Sequence, residues 1–176
     1  AQTGDDKSQL DMLGRLELSP AQQRELFDYC TTRNIEFLST PFDNESLNFL
    51  VNDLRLSTIK VGSGELTNAP FLLDIARCAQ RIILSTGMAT LDEVRAALGV
   101  IAFGMTTSPD AQPSSKLFAD AVASDTGREA IRDRVTLLHC TTDYPTAPSD
   151  VNLRAMTTLQ NEFGCCVGLS DHSVGT

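Results

Sequence analysis

The chain has 176 residues, of which 41% are hydrophobic, and this size and composition suit one soluble globular core. Its formal net charge of −9 argues against nucleic acid or an anionic membrane as a partner, because both require a basic surface. The sequence shows neither a run of about 18 apolar residues nor a basic-then-apolar leader, so we expect a cytoplasmic protein.

Short apolar runs that end in small polar residues alternate with helical patterns along the chain. Several helices have recognisable starts, such as a serine before proline at position 19 and a capping box from Thr90 to Glu93. The predicted elements in chain order are a helix over 20–32, a run at 37–42, a helix from 43 or 44 to about 54, runs at 58–65 and 82–87, a helix from 90 to about 101, a helix near 116–123, a run at 136–141, a helix from 149 or 150 to 163 ended by Gly164, and a run at 167–172.

Continuous apolar runs are typical of strands that are covered on both faces, and their alternation with helices predicts an α/β fold with parallel strands. The pattern fits a doubly wound sheet or a (β/α) barrel. Gly62 and Gly64 lack the third glycine of a dinucleotide-binding turn, and all five runs end in polar residues, which favours the barrel. A complete barrel needs roughly 250 residues, so we predict an incomplete (β/α)8 TIM barrel of about five parallel strands. The polar stretch 104–115 is expected to be a surface insertion at the amino-terminal end of the strands.

Polar chemistry concentrates at the ends of these runs. Lys60 is the only lysine or arginine inside any of the five runs, and a buried ammonium requires an anionic partner. One interpretation pairs it with Glu65 as a structural ion pair. The other makes Lys60 and Ser63 ligands of a bound phosphate or carboxylate, with Ser85 facing the same anion from the next strand.

The two histidines differ in their surroundings. His172 follows Ser170 and Asp171 at the end of the last run, where it suits a metal ligand or a loop residue. His139 lies inside an apolar run, and we expect it to have a hydrogen-bonded core role. Their spacing does not indicate a metal pair.

Six segments together closely resemble the sialic acid synthase family in their order and spacing. They are residues 39–43, 60–65, 83–88, 138–145, 151–155 and 168–172. The resemblance implies condensation of phosphoenolpyruvate with an N-acylated amino sugar, such as N-acetylmannosamine, to give a nonulosonic (sialic-type) acid and phosphate. It also implies a (β/α)8 catalytic barrel that needs a divalent metal, Mn²⁺ or Mg²⁺.

The same resemblance implies which residues contact phosphoenolpyruvate. Lys60, Ser63 and Ser85 are similar to its ligands, and Ser170 is similar to a further contact on the phosphate side. Thr142 stands where some family members carry an asparagine that touches phosphoenolpyruvate.

Other roles are implied for the second substrate and the metal. Glu65 is similar to a carboxylate placed near the reacting carbons, and Tyr144 to a contact of the sugar. His172 is similar to one of two histidine ligands of the metal. The resemblance therefore implies that Lys60 and Glu65 are the catalytic residues of this segment.

By the family pattern, residues 1–176 correspond to the third to seventh strands of the barrel. The antifreeze-like carboxyl-terminal domain of the family, whose members form homodimers, is expected to be absent, and the chain alone is expected to be inactive or strongly impaired. Two other interpretations remain: a class I aldolase-like barrel in which Lys60 forms a Schiff base, and a truncated, non-catalytic barrel that acts as a scaffold. N-acetylmannosamine, its phosphate and related diacetamido sugars remain open as substrates.

Overall fold

The structure, a computed structural model, describes Gly14 and residues 16–175. It divides into two units, residues 1–37 and 38–176. In the first unit, helix α1 (Pro20–Thr32) begins as predicted, because the Ser19 hydroxyl accepts from the Gln22 backbone N–H while the Gln22 side chain accepts from the backbone N–H of Ser19.

The second unit is built on a parallel sheet. Its strands are β1 (Thr58–Val61), β2 (Arg81–Ser85), β3 (Val135–Cys140) and β4 (Cys166–Ser170), and they neighbour one another in the order β1-β2-β3-β4. Four of the five predicted runs therefore form strands. The order has none of the reversal that a doubly wound sheet requires.

The prediction of a strand at residues 37–42 was wrong, because this segment forms no strand in the structure. A strand exists only where its backbone groups pair with a neighbour, and Pro41 has no N–H to donate to a ladder. The described chain is thus an α/β fold with a four-stranded parallel sheet, instead of one with about five strands.

Helices connect the strands. The connecting helices are α3 (Ala69–Cys78), α4 (Leu91–Thr106), α5 (Ser115–Ala123), α6 (Asp125–Arg134) and α7 (Arg154–Phe163), whereas α2 (Asn44–Asn48), which continues as a π-helical turn (Phe49–Asp53), precedes β1. The sequence predicted α2, α4, α5 and α7, but not α3 and α6. None of the described helices is both long and apolar enough to cross a bilayer.

The predicted start of α7 was wrong, whereas its end is confirmed. Ser149 and Asp150 lie in a 3₁₀ turn (Pro148–Asp150), and the helix begins at Arg154 without a side-chain cap. Gly164 ends it in the left-handed conformation, with φ of 63°.

The two faces of the sheet have different environments. On one face, the alternate side chains of β1 to β3 are at most 2% exposed, and the connecting helices cover them: Ile59, Val61, Ile82, Leu84, Val135 and Leu137. The opposite face is less completely covered: Thr58, Ser85 and Cys140 are buried there, but four side chains are only half-buried, namely Lys60, Ile83, Thr136 and Leu138. We call this second face the open face.

The stretch between α4 and β3 lies where the sequence predicted it. Arg77, in the last turn of α3 just before β2, donates to the carbonyl of Ala111 at 3.1 Å, which holds the loop near the amino-terminal edge of the strands. Helix α5 then packs on α4 through an edge-to-face contact of Phe118 with Phe103, with ring centroids 5.3 Å apart.

Gly104 allows helices α3 and α4 to approach closely. A Cβ added there would lie 2.6 Å from the Cβ of Ala76, a rigidly held atom. Gly104→Ala should therefore destabilise the fold by about 1–3 kcal/mol through overpacking, measured by urea unfolding. Gly64→Ala is the control, since nothing lies within 4 Å of its added Cβ. If Gly104→Ala were instead stabilising, as alanine is at an open helix position, the close approach would be contradicted.

Candidate active site

The parallel register brings three predicted site residues to the same face. Directly paired residues of neighbouring strands lie on one face, and side chains alternate along each strand. Lys60 pairs with Ile83, Ser85 with Leu138, and Cys140 with Ser170. Lys60, Ser85 and Ser170 therefore all lie on the open face.

Three strand ends meet at Gly87. A Cβ added to this residue would lie 2.9 Å from Cys140 Sγ, 3.2 Å from Thr142 Cγ2 and 3.3 Å from Ser63 Oγ. The loops after β1, β2 and β3 thus converge on one point, and a side chain at Gly87 would fit only if these neighbouring side chains shifted. The structure brings Ser63 and Thr142 together at this edge, around Gly87, which is two residues after Ser85.

The buried Thr86 holds the end of β2 to β3 by two hydrogen bonds. Thr86 is 8% exposed, and both its backbone N–H and its hydroxyl donate to the carbonyl of Leu138, at 2.9 Å and 3.1 Å. Ser85, which precedes it, is 4% exposed. These two residues hold β2 against β3 at the point where the sheet ends.

The ion pair between Lys60 and Glu65, one of the two interpretations of the sequence, does not form. Among the described residues Lys60 has no ion-pair partner. Glu65 ends a 3₁₀ turn (Ser63–Glu65) and its carboxylate accepts from Asn68 Nδ2 at 2.8 Å. Lys60 thus lies on the open face without a carboxylate bound to it in the described part of the chain.

His172 lies with two other predicted site residues. Its Nε2 is 3.2 Å from Ser170 Oγ, and its ring meets that of Tyr144 edge to face, with centroids 4.4 Å apart. Beside it, the backbone N–H of Ser173 donates to Asp171 at 2.9 Å and holds the pKa of that carboxyl below its usual value. An ionised carboxylate therefore adjoins the imidazole in sequence.

His139 lies on the other face of the sheet. It pairs with Leu169 in the ladder, and its Nε2 is 2.7 Å from the carbonyl of Val151. Because a carbonyl can only accept, this nitrogen carries the proton. His139 is half-buried, so the expected hydrogen-bonded role is present although the residue is not fully in the core.

The residues present do not form a metal site by themselves. His172 contributes one imidazole, His139 faces away from it, and no three His, Cys, Asp or Glu side chains of the described chain come together for a metal ion. A divalent ion usually takes at least three protein ligands or several carboxylate oxygens. The described chain therefore does not fit Mn²⁺ or Mg²⁺ without further ligands.

A cavity of about 760 Å³ lies away from the open face, among helices α3 to α7. Its charged rim is already paired, since Arg95 forms ion pairs with Asp92 and Glu162. These three side chains are therefore not free to bind a ligand in the cavity. The candidate site residues lie instead at the carboxyl-terminal edge of the sheet.

A family model described as the NeuB family matches residues 1–176. The chain belongs to the NeuB family. It is 42% identical over 173 residues to the N,N'-diacetyllegionaminic acid synthase of Campylobacter jejuni and 38% identical over 171 residues to that of Legionella pneumophila. These matches cover 98% and 97% of this chain, but 44% and 42% of the relatives. The chain thus spans less than half the length of these relatives.

A solved structure supports the same membership. The N-acetylneuraminic acid (sialic acid) synthetase from Leptospira borgpetersenii, solved in complex with citrate, is similar with a TM-score of 0.74 and 26% identity. The similarity covers 99% of this chain and 51% of that one. The fold of this NeuB-family chain therefore matches a corresponding part of that structure.

Sequence reasoning missed three residues that shape this NeuB-family site. Gly87 was identified only as part of a polar strand end, Cys140 as part of an apolar run, and Thr146 was not considered. Thr146 is 2% exposed and links the loops after β3 and β4. The only local signal was a threonine next to Pro145, which by itself indicates a turn.

Gly87→Ala should destabilise the protein by about 1–3 kcal/mol, because its Cβ has no space between the three strand ends. The backbone conformation is not the cause, since Gly87 is not among the positive-φ glycines. Cys140→Ala removes the sulfur that lies nearest to the added Cβ. In urea unfolding, the Gly87→Ala, Cys140→Ala double variant should therefore lose less stability than the sum of the losses in the two single variants. Strict additivity of the two effects would contradict the contact.

Proposed function

We propose that this chain is the part of a nonulosonic acid synthase that binds phosphoenolpyruvate at the carboxyl edge of its sheet. The observation that carries the proposal is the convergence of a lysine and strand-end hydroxyls: Lys60 and Ser85 share the open face, and Ser63 lies against Gly87, two residues after Ser85. The names of the two legionaminic acid synthases and of the sialic acid synthetase support the class of product.

An anion suits this edge for electrostatic reasons. The whole chain carries a net charge of −9, so a phosphate must be held by local donors and not by a favourable overall field. Lys60 supplies a positive charge, and the hydroxyls of Ser63, Ser85 and Ser170 supply donors that need no charge of their own.

The reaction assigned to the parent protein joins two substrates. C3 of phosphoenolpyruvate attacks the aldehyde of an open-chain N-acylated amino sugar, water adds at C2, and phosphate leaves. In this proposal, Lys60 and the serines fix the enol phosphate in position for attack. Thr142 borders the same ligand, Tyr144 contacts the sugar, and Glu65 assists proton transfer.

The wider architecture is proposed on the same basis. The sequential order of the four strands supports their being part of a (β/α)8 barrel, because such a barrel closes by adding neighbours in order. We further propose a cytoplasmic, homodimeric parent in which His172 contributes to binding Mn²⁺ or Mg²⁺ together with ligands outside the described residues.

Lys60→Met should weaken phosphoenolpyruvate binding about tenfold or more, because it removes a charge-assisted hydrogen bond of about 1.5–3 kcal/mol while keeping the apolar stem. Isothermal titration calorimetry on the 176-residue chain measures this. Lys116→Met is the control, since Lys116 lies on α5 and pairs with Asp120. Equal weakening by both variants, or no binding by the unaltered chain, contradicts the proposal.

Borohydride trapping distinguishes the aldolase-like alternative. If borohydride reduction attached a keto substrate covalently to Lys60, the Schiff-base aldolase would be favoured instead.

The 176-residue chain should release no phosphate from phosphoenolpyruvate with any sugar of a panel containing N-acetylmannosamine, its phosphate and a diacetamido sugar. The physical reason is that the described residues offer one imidazole to a metal and one lysine on the open face. A phosphate assay with manganese present measures this, and the full-length parent protein is the positive control. Phosphate release by the chain alone would show that its own residues suffice.

A further inference from the structure

Thr146 differs from its neighbours in the chain because it is buried. Within the described segment 141–150 it is the only buried residue, at 2% exposure, although its side chain is polar. A buried hydroxyl costs stability unless its hydrogen bonds are made. Threonine at this position therefore needs specific partners.

The partners of the Thr146 hydroxyl can be assigned with their direction. Thr146 Oγ1 lies 2.7 Å from the carbonyl of Asp143, which can only accept, so the single hydroxyl proton of Thr146 goes there. Thr141 Oγ1 is also hydrogen-bonded to Thr146 Oγ1, and it must be the donor in that pair. Both functions of the buried hydroxyl are thus used, and they close the loop between Thr141 and Thr146.

The backbone of Thr146 connects this loop to the next strand end. Its N–H donates to the carbonyl of His172 at 2.8 Å, and Thr146 forms a parallel bridge with Ser173. One residue therefore fixes the loop after β3 through its side chain and the loop after β4 through its backbone.

Tyr144 depends on this arrangement for its position. Its side chain is 58% exposed, so packing does not hold it, yet its ring meets the imidazole of His172 at a centroid distance of 4.4 Å. It lies between Asp143 and Thr146, the two ends of a hydrogen bond made by the Thr146 hydroxyl. The backbone that carries Tyr144 is therefore set by Thr146.

We propose that Thr146 is a positioning residue, which holds the Tyr144 ring against His172 so that both are presented together at the sheet edge. The proposal rests on the proposed function for the ligand that these two side chains meet. The geometry itself exists without that ligand. The positioning role of Thr146 and the proposed substrate binding can therefore be disproved independently of each other.

The test uses imidazole resonances of the ligand-free 176-residue chain. The sequence contains two histidines, so His172 is the reporter and His139, on the opposite face of the sheet, is the internal control. Tyr144→Leu removes the ring and defines the shift of the His172 signals that follows loss of the contact. Substituting either histidine assigns the two sets of signals.

Thr146→Val keeps the shape of the side chain but removes the hydroxyl, and it should produce most of the His172 shift seen in Tyr144→Leu, with His139 unchanged. Thr146→Ser keeps the hydroxyl and should retain the original signals. The proposal is overturned if Thr146→Val leaves the His172 signals in place, or if Thr146→Ser moves them as far as valine does.

A second variant covers the case in which Thr146→Val does not fold, which loss of the His139 signals would reveal. Thr141→Val removes only the donor to the Thr146 hydroxyl, from a half-buried site. It should move the His172 signals in the same direction as Tyr144→Leu but by less. Unmoved His172 signals in a folded Thr141→Val chain would overturn the proposal.

Discussion

The parallel register of the sheet is the constraint on which the site depends. In a parallel sheet, all strands end at the same edge, and residues paired across the ladder point to the same side. The pairing of Cys140 with Ser170 and of Ser85 with Leu138 decides which hydroxyls share a face with Lys60. A slip by one residue in β2 or β4 would move Ser85 or Ser170 to the helix-covered face, and the group of anion donors would be lost.

The same register separates the two histidines. The sequence places His139 inside an apolar run and His172 at the end of another. His139 pairs with Leu169 on the helix-covered face, where its Nε2–H binds the Val151 carbonyl. His172 lies beyond the end of β4, next to Ser170 and Tyr144. The two histidines have different partners because side chains alternate between the two faces along β3, and because β4 ends before it reaches His172.

The sequence correctly predicted helix starts and ends that depend on residues close together in the chain. Caps at Ser19 and Thr90 and the stop at Gly164 were read correctly, because each depends on residues within one turn of a helix. The strand at 37–42 was wrong because strand formation requires a partner, which local composition does not specify. Helices α3 and α6 were missed although Asn68 and Ser124 cap them and a proline follows in the first turn of α3, so these local signals were present in the sequence. The site residues came from strand ends and from family resemblance, whereas the crowding at Gly87 depends on three loops that are distant in sequence.

The surroundings of Lys60 distinguish a binding edge from a structural ion pair. Had Glu65 bound Lys60, the ammonium would be neutralised and the edge would offer only hydroxyls. Glu65 is instead held by Asn68, on the turn that follows β1. The chain has a net charge of −9, yet Lys60 has no ion-pair partner among the described residues, whereas Asp92 and Glu162 pair with Arg95 and Asp120 pairs with Lys116. Lys60 therefore provides a positive charge that no carboxylate of the described residues neutralises, which is the feature that an anionic substrate needs.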